Sequence, residues 1–158
     1  MTAPKKSIFK LDASKLSFDF FENAVMLGLS SDLASYQLCH ALNQAFNLSF
    51  FLNPSVTVKI GHKDASGQVL VREFPVFQTT IPFCNSEYFL YKLKLEEAHL
   101  MPEIKNIDYI WLFKADCFED ALEQAELYLP SLKTIQGIQF STMIEDLFKL
   151  KSIQNLIL

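Results

Sequence analysis

The side chains best placed to do chemistry stand close together early in the second half of the chain: His99, Pro102, Glu103, Lys105, Asp108 and Tyr109. An imidazole followed by two carboxylates is a donor set for a divalent cation, or an acid–base pair if the groups converge on a substrate. Lys105 lies between the carboxylates and could pair with either. A structural account competes with this one and is favoured. Pro102 would fix the loop into the next strand, Glu103 and Asp108 would accept bonds from nearby backbone amides, and Tyr109 would pack its ring and satisfy its hydroxyl at the sheet edge.

Other candidates are weaker. His40 adjoins Cys39 on a helical stretch, where neighbouring side chains diverge by about 100° and so do not share one metal. His62 and Asp64 share a presumed hairpin loop, where such residues commonly serve turn chemistry alone. Cys84, in Pro82-Phe83-Cys84-Asn85, is the expected exposed thiol, but spacing names no activating partner. Walker, GxGxxG, GxSxG and HExxH patterns are all missing from the sequence. The reading is therefore no metal site and no cofactor, and it leans against an enzyme.

Composition narrows the classes further. The 158 residues suit one domain, 1–158, that buries about two-thirds of its unfolded surface. Half of them are hydrophobic, and 15 Phe against 4 Gly favour a thick aromatic core over phosphate-cradling loops. The formal charge is −4, the lysines are scattered, and Arg72 is the lone arginine, which argues against a nucleic-acid surface. No uninterrupted 18-residue apolar run occurs, so no membrane span is expected. The polar N-terminus lacks a secretory h-region, and Cys39, Cys84 and Cys117 form neither a CxxC nor a disulfide framework. A reducing cytoplasm is the expected compartment.

The elements that must position these residues read as an α+β domain, with a largely antiparallel sheet and two main helices packed on it. Strands are expected over 7–12, 18–29, 56–60, 68–77, 87–95, 107–114 and 134–140, with Phe89, Tyr91, Leu93 and Leu95 as the core face of the fifth. Helices are expected over 33–46, capped at Ser30-Ser31-Asp32, and from Asp116 to a stop at Pro130. Asn53-Pro54 should break the chain, and Pro75 should mark a sheet edge or bulge. Residues 141–150 are ambiguous between helix and extended chain. The second helix is unusually acidic: Glu119, Glu123 and Glu126 share a face, which is either solvated or a docking face for a basic partner.

The stretch Met101-Pro102-Glu103-Ile104-Lys105-Asn106-Ile107-Asp108-Tyr109 resembles the signature of the IPExxxVDY family of small bacterial proteins, with Met101 and Ile107 in place of Ile and Val. Gly28-Leu29-Ser30-Ser31, Tyr36, Leu38, Cys39, Leu42 and Asn43, and Asn155-Leu156-Ile157 are similar to further parts of that family, so the resemblance spans most of the chain. The family has no assigned activity, and the resemblance implies no catalytic role for Pro102, Glu103, Asp108 or Tyr109.

Three functions follow as expectations. The first is a non-enzymatic interaction or adaptor domain that self-associates as a homodimer or binds another protein through a strand edge or aromatic patch. The second is a small-ligand or regulatory domain with a pocket near Glu103, Asp108 and Tyr109. The third is an unrecognised enzyme using His99 and the two carboxylates.

Overall fold

The computed structural model describes residues 19–81 and 84–158; the expected strand over 7–12 lies outside them. Eight strands and two main helices follow in order: β1 (Ala24–Ser31), α1 (Ser35–Phe46), β2 (Phe51–Lys63), β3 (Val69–Ile81), β4 (Ser86–Lys92), β5 (Lys94–Leu95), β6 (Ala98–His99), β7 (Tyr109–Lys114), α2 (Phe118–Leu132) and β8 (Ile138–Ile144). Six of them form one sheet in the order β2-β3-β4-β7-β1-β8, with every neighbouring pair antiparallel. The strands β7 and β8 flank β1, so the β7–α2–β8 connection crosses over one strand. The expected α+β class with two helices on an antiparallel sheet is what the chain adopts.

Both faces of the central strands β1, β4 and β7 are buried, because these strands are apolar on both sides. On one face Val25, Leu27, Leu29, Tyr88, Leu90, Trp111 and Phe113 meet Leu38, Cys39 and Leu42 of α1 and Ala121, Ala125 and Leu132 of α2. Trp111 is the hub of this layer: it stacks on Phe113 and Tyr128 and meets Phe50 and Tyr88 edge-on. On the other face Met26, Val58, Phe74, Val76, Phe89, Tyr91, Ile110 and Leu112 are covered by Leu100, Met101, Ile107, Ile153 and Leu156. This second cover is loop and 3-10 turn rather than helix (Pro102–Ile104, Leu147–Lys149, Ile153–Leu156). Tyr91 donates its hydroxyl to the Leu156 carbonyl at 2.8 Å and so pins the C-terminal turn to the sheet. The expectation that only the Phe89 face of β4 is core is therefore corrected: Tyr88 and Leu90 are as deeply buried.

Several boundaries differ from expectation, each for a local reason. Residues 19–21 are helical and β1 starts only at Ala24, after Asn23 turns the chain at φ 59°. Helix α1 begins at Ser35, with Ala34 as the N-cap; the Ala34 amide donates to Gln37 Oε1 at 3.0 Å, while its methyl can accept nothing in return. Strand β2 runs straight through Asn53-Pro54, because it is an edge strand and a register shift between Leu52 and Thr57 absorbs the proline. Helix α2 continues past Pro130 to Leu132 and is capped by Cys117, not Asp116. The last strand starts at Ile138 rather than Thr134. Gly137 makes the preceding turn at φ 97°, and a Cβ there would lie 2.6 Å from Leu33 Cγ. Residues 141–150 divide into the end of β8 and a 3-10 turn.

Candidate functional site

The motif residues sit where the loop after β6 climbs back into the sheet as β7. Each uses its polar atoms within the chain. The Asp108 carboxylate accepts the Ser31 amide at 2.8 Å and pairs with Lys94 Nζ at 2.7 Å, while its own amide donates to the Leu29 carbonyl at 2.8 Å. The Tyr109 hydroxyl donates to the Leu33 carbonyl at 2.6 Å. Ser31 closes the corner by donating its hydroxyl to the Gly137 carbonyl at 2.6 Å. Asp108 and Tyr109 thus clamp the β1–α1 connection. Burial raises the Tyr109 hydroxyl above its ordinary value, with a Ser35 hydrogen bond opposing.

Residues 28–31 lie along this corner. Gly28 lets Ile107 and Ile144 cross over its backbone, since a Cβ there would come within 3.0 Å of Ile144 Cδ1 and 3.1 Å of Ile107 Cδ1. The Ser30 hydroxyl donates to the Asn106 carbonyl. The Pro102-Glu103 half of the motif faces the other way, toward the C-terminus. Glu103 Oε1 accepts the Ser152 hydroxyl at 2.7 Å, and Asn155 donates to the Leu100 carbonyl at 2.8 Å. Desolvation pushes the Glu103 carboxyl up, but the Ser152 hydroxyl, the local amides and Lys151 outweigh it and hold the group below its ordinary value.

His99 staples the loop. Its Nδ1 accepts the Met101 amide at 2.9 Å, and its Nε2 lies 3.3 Å from the Ile107 carbonyl, which assigns the proton to Nε2. Burial depresses its basicity, against a smaller raising effect of that carbonyl. The cluster of His99, Glu103 and Asp108 is not assembled as a ligand set: the three side chains bond to three different places. Among the described residues no group of three His, Cys, Asp or Glu side chains comes together to hold a metal ion. Lys105 is exposed and pairs with neither carboxylate; the cation on Asp108 is Lys94.

Asp108 and Tyr109 do line a cleft of about 230 Å³, together with residues 31–34, Lys92 and Lys94; Glu103 is not part of it. A larger, polar cleft of about 930 Å³ holds Cys84, Asn85, Glu87, Lys114, Asp116 and Asp120. An apolar one of about 550 Å³ lies between Phe21, Phe118, Leu122, Met143 and Leu147. Cys84 is exposed, as expected, whereas burial drives the Cys39 thiol up to about 12. His40 is exposed on α1. Asp64 accepts the Ser66 hydroxyl and the Ser66 and Gln68 amides, which lower its pKa and make it a turn residue; the His62 side chain lies outside what is described.

The feature that sequence reasoning missed is an arm. β2 and β3 pair from Thr57↔Pro75 to Lys63↔Val69, seven pairs, but β4 covers β3 only from Val76 to Ile81. The outer part of the hairpin is therefore a two-stranded ribbon of about 20 Å. On its far side Val58 and Phe74 are buried in the second core layer. On the helix side neither α1 nor α2 covers it: Val69 is 61% and Val71 63% exposed, beside Lys59, Gly61 and Lys63.

The class defined by this geometry is an α+β sheet domain in which Asp108 and Tyr109 act as internal clamps and a two-stranded ribbon leaves one apolar face bare. The sequence matches no protein-family model and no curated protein. No helix among the described residues is long and apolar enough to cross a membrane.

Proposed function

We propose that this chain is a non-catalytic interaction domain that associates with itself, and that it belongs with the IPExxxVDY proteins it resembles. The observation that carries this reading is the bare helix-side face of the β2–β3 arm. Val69 and Val71 lie bare on that one face, and an exposed apolar patch on a ribbon whose other face is anchored in the core marks a surface that another chain covers. The motif residues support the same reading from the other side, since atoms already bonded to backbone, to Lys94 and to the Ser152 hydroxyl are not spare for a substrate. The three cysteines are free, which supports a reducing compartment, the cytoplasm.

The small-ligand alternative rests on the cleft beside Asp108 and Tyr109. Its volume of about 230 Å³ is below the usual range of small-molecule sites, and the reading ranks second. The enzyme alternative ranks third, because His99 is committed to its own loop. Native mass spectrometry of the protein purified gently from its host tests the first two. A bare dimer is the expected result. A monomer carrying a small molecule would favour the ligand reading, and a bare monomer at every concentration would overturn self-association.

A further inference from the structure

Resting on that self-association, we infer that the bare face of the arm docks on the outer face of α2 in a second copy, reciprocally across a two-fold axis. Helical spacing puts Glu119, Glu123, Glu126 and Leu127 on one face of α2, and all four are exposed, Leu127 at 69%. Among the described residues no ion pair involves these carboxylates. Like charges at this spacing repel, so the face gains from an outside cation. The arm face presents the complement. Lys59 and Lys63 flank Val69 and Val71, and Gly61, lacking a side chain, leaves a shallow trough next to Val69. Its acids are already engaged: Glu73 pairs with Lys59 at 3.3 Å, and Asp64 is turned into its own turn. The face therefore carries one net positive charge against three negative ones on α2.

Within one chain the two surfaces cannot meet. The arm is built on β2 and β3 at one end of the sheet, and α2 packs over β7, β1 and β8 at the other. Two strand spacings, about 10 Å, separate β3 from β7, and the acidic face of α2 is the one turned away from the sheet. A second copy brings them together twice, and the reciprocal arrangement closes on itself instead of growing into a fibre. Docking by face rather than by edge also fits β2. Pro54, the irregular pairing after Leu52 and the two lysines blunt that edge against strand addition.

The experiment uses two charge-reversed full-length chains, Lys59→Glu/Lys63→Glu and Glu123→Lys/Glu126→Lys, followed by sedimentation and native mass spectrometry. Each alone should dimerise at least about tenfold more weakly than wild type, because both reciprocal contacts turn repulsive. Mixed, they should form a heterodimer, since each arm then faces a helix of opposite sign. If both variants dimerise as tightly as wild type, or the mixture fails to pair, this interface is wrong while self-association stands. If the wild-type chain is monomeric throughout, the underlying reading falls too. Should a reversal variant melt far below wild type, a double-mutant cycle with Lys63→Gln and Glu126→Gln gives the same decision. Coupling between the two substitutions supports the contact, and strict additivity overturns it.

Discussion

At the scale of single residues, Asp108, Tyr109 and Glu103 all find polar partners within the chain. Asp108 holds two partners at once, an amide and an ammonium, on a side chain that is 27% exposed. Removing the carboxylate strands the amide of the buried Ser31, so Asp108→Ala should lose about 2–3 kcal/mol of unfolding free energy in urea. Asp108→Asn keeps an acceptor for the amide and loses only the Lys94 pair, about 0.5–1 kcal/mol. Tyr109→Phe should lose about 1 kcal/mol. Equal, near-zero effects for all three would point instead to a ligand-facing role. The residue types at this corner were legible in the sequence; their partners were not. Ser31 lies 77 residues away, and Lys94 rather than Lys105 reaches Asp108 because β5 begins where β4 leaves the neighbouring position in the sheet.

His99 makes a pH prediction with a definite sign. Protonation would put a hydrogen on Nδ1, where the Met101 amide already donates. Burial holds the folded-state pKa below its ordinary value of 6.5, so the unfolded chain binds the proton more readily. The contribution of His99 to stability is complete above 6.5 and falls as the pH drops below it, levelling off below the folded-state pKa. Urea titrations between about pH 7.5 and 5.5 should show this loss in the wild type and a smaller one in His99→Gln. An identical slope in the two proteins would refute the staple.

At the scale of elements, periodicity was a good guide wherever an element has one solvated side. Of the stripe expected on α2 from Phe118, Ala121, Leu122, Ala125 and Leu129, all but the half-exposed Phe118 face the sheet, and of the face expected on α1 from Ala34, Leu38, Ala41, Leu42 and Ala45, Leu38 and Leu42 are buried while Ala45 is exposed. Legibility failed where backbone geometry or tertiary cover decides. Pro130 lacks the amide that would donate to Glu126, yet in the last turn this loss does not stop two more helical residues. The second cover of the sheet has no period to read, because it is loop and 3-10 turn. It nevertheless carries real burial: Leu156 is fully enclosed and Ile153 nearly so. Leu156→Ala should therefore cost about 2–5 kcal/mol, as for any core leucine, although the residue lies two places from Leu158. A loss under about 0.5 kcal/mol would mean that the C-terminal turn is a surface appendage.

At the scale of the whole molecule, the arm separates two kinds of apolar residue that a hydropathy profile cannot tell apart. Val58 and Phe74 of the ribbon are core residues of this chain, whereas Val69 and Val71, on the same hairpin, touch no core of their own. Replacing exposed residues barely alters the stability of the chain that carries them, but replacing residues covered by a partner removes the stabilisation that association confers. The pair Val69→Ser/Val71→Ser distinguishes these cases in one measurement. For a self-associating wild type the melting temperature rises with protein concentration, because binding favours the folded state by mass action. The double variant should melt at the temperature the wild type shows at its lowest concentration, and should keep that value as concentration increases. A variant that instead melts lower at every concentration, with the wild-type slope intact, would show that the two valines support the hairpin within the monomer. The dimer contact would then have to be sought elsewhere on the surface, first at the other sheet edge, where Phe140 of β8 is also exposed.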